Sequence, residues 1–181
     1  MDKKQPKPRK APRRISKTYL ENAALYYLQR YASSAAHLKS VLKRKVERSC
    51  KFHETDAAPF MPVIDDMIAR YLKSGLLDDA AYARAKTTSL RRQGKSRQAI
   101  HAKLASKGVP KERVTEALTT VDEDENSELA AAIALARRKK IGIFRKGVAD
   151  LKQRQKELAA MGRAGFSYET ARTALQYEEE E

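Results

Sequence analysis

The sequence predicts an all-α protein built as an elongated array of tandem three-helix repeats. Apolar residues recur three and four positions apart along most of the chain, which is the spacing of one helix face. Helix-start residues, apolar positions and glycine stops also recur together, as they do in repeat proteins. No useful stretch alternates apolar and polar residues, so no strand is predicted. The predicted boundaries are a disordered basic tail at 1–17, a first repeat at 18–75 with a linker at 50–62, a second repeat at 76–121, and a third repeat with an acidic C-terminal tail at 122–181.

The N-terminal tail is rich in Lys, Arg and Pro. Residues 1–16 hold seven basic residues, one Asp and three prolines, which disfavour a helix. We expect a disordered arm that adds sequence-independent attraction for phosphates. The alternative is a solubilising tail without a partner.

The first repeat opens on a capping-box pattern, Thr18-Tyr19-Leu20-Glu21. The apolar face expected for its first helix is formed by Ala23, Leu25, Tyr26, Leu28 and Ala32. A second helix is expected after Ser34, and a third over 63–73. Two prolines and several turn-forming residues make 50–62 a linker between them.

The second repeat shows the clearest helix signals. Asp78 is placed to cap a helix that runs to about Gln93, because its carboxylate can accept the free N–H groups of the first turn. A second helix begins near Ser96 and ends at Gly108, which suits the left-handed position after a helix. Pro110 fits the first turn of the third helix.

The third repeat follows an acidic patch at 122–125. Helices are expected near 126–139, 150–161 and 168–177, with a loop at 141–148 that contains two glycines. A displacement of 57 positions brings the closing helices of the second repeat onto the third, at Leu104/Met161, Gly108/Gly165 and Leu118/Leu175. A displacement of 62 brings Ser96, Ile100 and Leu104 onto Ser34, Leu38 and Leu42.

Charge is the strongest functional indication. The formal net charge is +15, and between Arg84 and Lys107 there are eight Lys or Arg and no Asp or Glu. Such a balance favours a polyanionic partner, although a solvated helix face is the alternative. The residues predicted to contact that partner are Arg84, Arg91, Arg92, Lys95, Arg97, Lys103, Lys107, Arg137, Arg138, Lys139 and Lys140. Arg91 to Arg97 are expected to be exposed at the break between two helices, whereas Arg84 has the alternative of an internal ion pair.

Catalysis and metal binding are not indicated. The chain has no phosphate loop and no nucleophile motif. Asp78-Asp79 is better interpreted as a helix cap than as an acid pair, and Cys50 with His53 is too small a set for a structural zinc site. We therefore expect no enzyme activity, no metal and no cofactor. The basic start is not a secretory signal and no apolar run reaches membrane length, so we expect a cytoplasmic protein.

Tyrosines leave two interpretations open. At helical spacing, Tyr26, Tyr71 and Tyr82 are predicted to be core residues, with base stacking as the alternative. Tyr19, Tyr27 and Tyr31 are not assigned to either role, because the adjacent Tyr26 and Tyr27 cannot both face inward.

The residues of the second repeat resemble the RecX family. The resemblance rests on Leu76-Leu77-Asp78-Asp79, Tyr82-Ala83, Arg91-Arg92 with Gly94, and Ile100-x-x-x-Leu104-x-x-x-Gly108-Val109. It is strong over 75–118, looser over 126–176 and weakest over 18–50, where Lys43-Arg44-Lys45-Val46 replaces a glycine stop.

The resemblance implies an activity that composition alone does not give. RecX proteins are tandem three-helix repeats that bind the RecA recombinase filament on single-stranded DNA and inhibit ATP hydrolysis and strand exchange. This implies a regulator of recombinational repair and the SOS response, with weak non-specific binding to single-stranded DNA alone; we expect a monomer that binds no membrane. The alternatives are a general basic helical nucleic-acid-binding or architectural protein, and a scaffold for acidic proteins.

Overall fold

The fold is all-helical, as predicted. The computed structural model describes residues 11–122 and 127–176, and within these ranges it contains α-helices, one short 3-10 turn at Gly142–Phe144 and no strand. The α-helices are α1 Lys17–Leu28, α2 Ala35–His53, α3 Phe60–Lys73, α4 Asp79–Arg92, α5 Arg97–Ala105, α6 Lys111–Val121, α7 Ser127–Lys139, α8 Leu151–Arg163 and α9 Tyr168–Leu175.

The chain forms two compact units, Met1–Leu77 and Asp78–Glu181. In the first unit, α1, α2 and α3 enclose a core that includes Leu20, Leu38 and Ile64. The second unit holds two cores. One lies among α4, α5 and α6, and the other among α7, α8 and α9. The predicted second and third repeats therefore belong to one compact unit.

The start of α1 differs from the prediction. Its N-cap is Ser16, whose Oγ accepts the N–H of Tyr19 at 3.1 Å, so the capping box at Thr18 is wrong. The predicted apolar face is also wrong in part, because Leu20 and Ala24 are the buried residues while Tyr26 is 56% exposed. Two apolar faces compete on this helix, and packing against α2 and α3 selects the one with Leu20 and Ala24.

Helix α2 continues further than expected. It extends to His53 and ends where Glu54 takes a left-handed conformation with φ of 54°. Cys50 is 4% exposed inside the core, so continuing the helix buries apolar surface that a linker would leave in water. The connection to α3 is therefore shorter than the predicted 50–62 linker.

The described part of the basic tail lies against α2. The Ser49 hydroxyl donates to the Arg13 carbonyl at 2.7 Å, and His53 Nε2 lies 2.8 Å from the Pro12 carbonyl. The segment at 11–16 has no regular secondary structure but is held against α2 by these contacts, contrary to the expected disorder. The predicted disorder of 1–10 lies outside the described residues.

Caps in the second unit follow the sequence closely. Asp78 Oδ1 accepts the N–H of Ala81 at 2.9 Å, and this hydrogen bond lowers the pKa of the Asp78 carboxyl. Ser96 caps α5, and Gly108 adopts a φ of +70° after it. Pro110 stands at the N-cap of α6, one position before the first turn in which it was expected.

Glu157 is the main departure from the repeat pattern. The 57-residue displacement places it where the second repeat has Ile100, yet it is 2% exposed. Its carboxylate accepts the N–H of Gly142 at 2.8 Å and the Gln153 side chain at 3.1 Å, and it pairs with Arg145. A buried carboxylate in α8 therefore holds the predicted loop at 141–148.

The remaining predictions for the acidic segments are tested only in part. Asp122 is described, whereas 123–126 and the acidic C-terminal residues from 177 onward lie outside the described residues. The helices predicted near 126–139, 150–161 and 168–177 correspond to α7, α8 and α9, each with bounds within two residues of the prediction.

Candidate functional site

Arg91 lies at a seam between the two cores of the second unit. Its Nη2 is 2.5 Å and its Nε 2.8 Å from the two carboxylate oxygens of Asp122, a bidentate pair. Its Nη1 contacts Glu128 Oε2 at 2.6 Å and the Lys95 carbonyl at 3.0 Å. The Arg91 side chain is 9% exposed and that of Asp122 is 1% exposed. The expectation that Arg91 is exposed is therefore wrong.

The neighbouring carboxylates keep the Arg91 guanidinium protonated. Burial lowers the pKa of the Arg91 guanidinium, but its hydrogen bonds to Asp122 and Glu128 outweigh burial and leave that pKa above its ordinary value. Arg91 is a permanent cation whose charge is neutralised inside the fold. Its side chain connects α4 to the residues on either side of the start of α7.

Arg97 and Ser96 extend the same seam. Arg97 Nε donates to Asp122 at 2.9 Å and its backbone N–H lies 3.1 Å from Glu128, but its side chain remains 56% exposed. The Ser96 hydroxyl accepts the N–H of Ala99 at 3.1 Å and donates to the Ala164 carbonyl at 2.7 Å. One serine therefore caps α5 and connects it to the turn after α8. We call the residues Arg91, Ser96, Arg97, Asp122, Glu128 and Ala164 the seam.

Two glycines allow the close approach at the seam. Gly94 has φ of +66°, and a Cβ there would lie 2.9 Å from the Ala131 carbonyl oxygen and from the Leu135 nitrogen. Gly165 has φ of +88°, and a Cβ there would lie 2.5 Å from the Ser96 hydroxyl. Neither position leaves room for a side chain, so the turn after α4 contacts the backbone of α7 directly.

A basic cleft of about 330 Å³ opens beside the seam. The turn after α4 contributes Lys95, α7 contributes Lys139, and α8 contributes Arg163. Small or apolar residues form the rest of its lining: Gly94, Ala99, Leu135, Ala160 and Ala164. Three cations from three elements meet over a floor without carboxylates, which suits an anionic group such as a phosphate or a carboxylate. We call these residues the basic cleft.

The other predicted contact residues are distributed over the second unit. Those exposed at the surface are Arg84, Arg92, Lys103, Arg137, Arg138, Lys139 and Lys140, whereas Lys107 is half-buried. Two of them have internal contacts. Arg138 Nη1 donates to the Gln93 carbonyl at 2.6 Å, at the end of α4, and the Arg137 guanidinium lies 5.2 Å from the centre of the Phe144 ring. Of the predicted set, the cleft brings Lys95 and Lys139 together.

Arg163 was not predicted from the sequence. It lies in the last turn of α8, where a cation is also favourable to the helix dipole, so its position gave no separate signal of a binding role. Its position beside Lys95 and Lys139 depends on contacts between distant segments, such as the hydrogen bond from Ser96 to the Ala164 carbonyl. One sequence signal does point to it: it stands two residues before the glycine stop at Gly165.

The residues that the structure describes contain neither a cluster of metal ligands nor a helix able to span a membrane. No group of three or more His, Cys, Asp or Glu side chains there could hold a metal ion. Cys50 Sγ lies 3.5 Å from the Asp56 carbonyl, and His53 contacts Pro12, so the two residues have other partners. None of the helices in the described ranges has the length and apolar character needed to cross a membrane.

Comparison with family models matches residues 78–118 to the model described as "RecX, second three-helix domain". The matched segment begins at the Asp78 cap and ends at Leu118 in the core of α6. It therefore contains the seam residues Arg91, Ser96 and Arg97, and Gly94 beside them.

Full-length relatives extend the similarity to most of the chain. The chain is 42% identical over 175 residues to the regulatory protein RecX of Myxococcus xanthus, covering 96% of this chain and 93% of that protein. It is 33% identical over 152 residues to the regulatory protein RecX of Agrobacterium fabrum, covering 84% and 79%. The crystal structure of RecX from Lactobacillus salivarius matches with a TM-score of 0.65 at 21% identity, covering 88% of this chain and 94% of that one, which supports the fold.

Proposed function

The chain belongs to the RecX family of regulatory proteins, and on that premise we propose that it inhibits the RecA recombinase. In this proposal it binds the RecA filament on single-stranded DNA and suppresses ATP hydrolysis and strand exchange during recombinational repair and the SOS response. It acts by binding, without catalysis and without a cofactor, as a cytoplasmic monomer.

The observation that carries the proposal is the basic cleft beside the seam. Lys95, Lys139 and Arg163 converge on one recess without an acidic residue in its lining. A RecA filament on DNA offers phosphates and acidic side chains, and both are ligands for such a recess. Cations held at fixed positions by packed helices bind an anion with less loss of side-chain entropy than isolated surface lysines.

The seam supports the proposal by fixing the cleft. Lys95 follows the buried Arg91 by four residues, and the Lys95 carbonyl itself accepts from Arg91 Nη1 at 3.0 Å. Gly94 brings the same turn against α7, which carries Lys139. The Ser96 bond to Ala164 fixes the end of α8, one residue after Arg163. Each cation of the cleft therefore lies on a turn or helix that connects the two cores.

The exposed cations outside the cleft have a lesser part in the proposal. Arg84, Arg92 and Lys103 lie on the surface of α4 and α5, where attraction to a polyanion is screened by salt. They increase the rate of encounter with the filament more than they hold it. In this proposal Arg91 does not contact the partner itself. Its role is to hold Lys95 in place through the hydrogen bond to the Lys95 carbonyl.

The test is ATP hydrolysis and strand exchange by RecA on single-stranded DNA, with increasing amounts of this protein. We expect both activities to fall and reach a minimum at saturating protein. If both stay unchanged while the protein is bound to the filament, the inhibitor proposal fails.

A general nucleic-acid binder is the second candidate, and the net charge of +15 favours it. The two candidates differ in their preference between naked DNA and the filament. A regulator binds the RecA-coated strand more tightly than the same strand alone at physiological salt. Equal affinity for both would support the general binder.

A further inference from the structure

One face of α1 carries two tyrosine rings, and each has a cation from a neighbouring segment over it, Arg30 from the turn after α1 and Lys45 from α2. Tyr19 and Tyr26 are seven residues apart, so the two rings lie on one side of α1, and Arg30 lies in the turn that follows the helix. The Arg30 guanidinium lies 4.2 Å from the centre of the Tyr26 ring, and Lys45 Nζ lies 5.9 Å from the centre of the Tyr19 ring. Tyr26 is 56% exposed, so its ring is open to solvent.

A second basic cleft adjoins this face. It has a volume of about 320 Å³ and is lined by Arg13, Tyr19, Lys45 and Arg48, together with Ala11, Pro12, Ile15 and Ser49. One wall is the segment before α1, which Ser49 holds through the Arg13 carbonyl. The cleft has three cations and no carboxylate in its lining. It is suited to an anionic group directly beside the Tyr19 ring.

The surrounding charge favours a nucleic acid over an acidic protein surface. Residues 22–46 contain five Lys or Arg and no Asp or Glu. Glu21, the acid of α1, contacts Arg70 at 2.7 Å and is thereby partly neutralised. An acidic protein would use the cations but has no specific need of exposed rings, whereas an unpaired base stacks on tyrosine and on the plane of an arginine.

We propose that this face of α1 is a binding track for single-stranded nucleic acid, with phosphates in the Arg13–Lys45–Arg48 cleft and unpaired bases stacked on Tyr19 and on the Tyr26–Arg30 pair. Tyr19 and Tyr26 are separated by roughly 10 Å along the helix axis, three times the ~3.4 Å between stacked bases of one strand. The two rings therefore take bases that are separated from one another. A duplex hides the faces of its bases, so the track selects single strands. The track shares only its partner, single-stranded DNA, with the proposed inhibition of RecA.

The test measures binding of the full chain to a fluorescent oligothymidylate and to an abasic strand of the same length, in the absence of RecA. The abasic strand has the same phosphates and no bases. We expect Tyr26→Ala to weaken oligothymidylate binding by about tenfold, equivalent to about 1.4 kcal/mol, because one base loses its stacking partner. Binding to the abasic strand should change by less than about twofold. Tyr26→Phe should keep the affinity for both strands, and circular dichroism should show that helicity is unchanged.

The phosphate part of the track has its own variant. Lys45→Gln with Arg48→Gln should weaken binding to both strands and should lower the slope of log affinity against log salt by about 1.4, for two lost contacts on a single strand. The matched control is Tyr168→Ala, which removes a 70% exposed tyrosine from α9 in the second unit and should leave both affinities unchanged.

Three results would overturn the track. They are unchanged oligothymidylate binding by Tyr26→Ala, equal loss on both strands, or a loss that affects only binding to the RecA filament and therefore marks Tyr26 as a protein contact. RecA ATP hydrolysis is measured with the same variants. If the wild-type protein binds oligothymidylate more tightly than the abasic strand but does not change RecA ATP hydrolysis, the inhibitor proposal is refuted and the track is supported. If it inhibits hydrolysis but binds both strands equally, the track is refuted and the inhibitor proposal is supported.

Discussion

The seam and the basic cleft each take a cation from the same run of basic residues, Arg91 in the seam and Lys95 in the cleft, but the charges of these two residues have opposite surroundings. Arg91 and Lys95 are four residues apart, and the sequence between Arg84 and Lys107 has no acid to distinguish them. Arg91 finds its counter-charges in Asp122 and Glu128, which lie 31 and 37 residues further along the chain. Lys95 lines a recess together with further cations. A basic run therefore divides into charge that is neutralised within the fold and charge that lines an open cleft.

The largest effect is expected from removing the buried cation Arg91, which tests whether the seam stabilises the second unit. Arg91→Ala should lower the free energy of unfolding of the second unit by about 3–5 kcal/mol, because Asp122 is left buried without its bidentate partner. The measurement is urea denaturation followed by circular dichroism. Arg92→Ala is the matched control, because Arg92 is exposed on the same helix and should change stability by less than about 0.5 kcal/mol. Equal stability of the two variants would show that the seam does not hold the unit together.

The next change tests the close approach at the seam. Gly94→Ala should cost about 2 kcal/mol or more, since a left-handed backbone is strained for alanine and the new Cβ would lie 2.9 Å from the Ala131 oxygen. Gly162→Ala is the control, because Gly162 is inside α8 and an added Cβ would meet nothing within 4 Å, so this variant should gain about 0.5–1 kcal/mol. Thermal unfolding of each variant shows directly whether its melting temperature is lower or higher than that of the wild type. Stabilisation by both substitutions would contradict the packing of this turn against α7.

A third change tests whether Glu157 stabilises only the loop at 141–148 or the whole second unit. Glu157→Gln keeps the shape of the side chain but removes the charge that pairs with Arg145, and should cost about 1–2 kcal/mol. The effect should be local, with faster amide hydrogen exchange at 141–148 than in α4 to α6. Glu169→Gln, at an exposed position of α9, should leave exchange in that loop unchanged. Uniformly faster exchange throughout the unit would show that Glu157 supports the whole core and not the loop.

Local signals in the sequence predicted most of the helices. Asp78 and Ser96 are the caps they were predicted to be, because a cap depends on a side chain and the backbone three residues away. Gly108 and Gly165 end helices with positive φ, as their spacing indicated. These interactions are contained in a few consecutive residues and can be recognised without knowing the fold.

Interactions between distant segments were not predictable in the same way. The pairing of Arg91 with Asp122 depends on the packing of α6, which ends at Asp122, against α4. Arg163 lies on α8 and lines the basic cleft only because segments far apart in the chain come together there. The face that α1 buries was misjudged because its apolar residues surround much of the helix and only packing selects among them. The burial of Glu157 was not predicted from the sequence, since a carboxylate in a helix is usually a surface residue.

The most direct test of the account compares two sets of substitutions that remove equal charge from the second unit. One replaces Lys95, Lys139 and Arg163 of the basic cleft with Gln, and the other replaces the exposed Arg92, Lys103 and Arg137 with Gln. Affinity for the RecA filament on single-stranded DNA is measured for both at one salt concentration, after circular dichroism has shown equal helicity. We predict that the cleft variant loses affinity by about 30-fold or more, on the order of 2 kcal/mol, and that the other loses several times less. Equal losses would contradict the account, because they would show that the filament responds to net charge and not to the cleft.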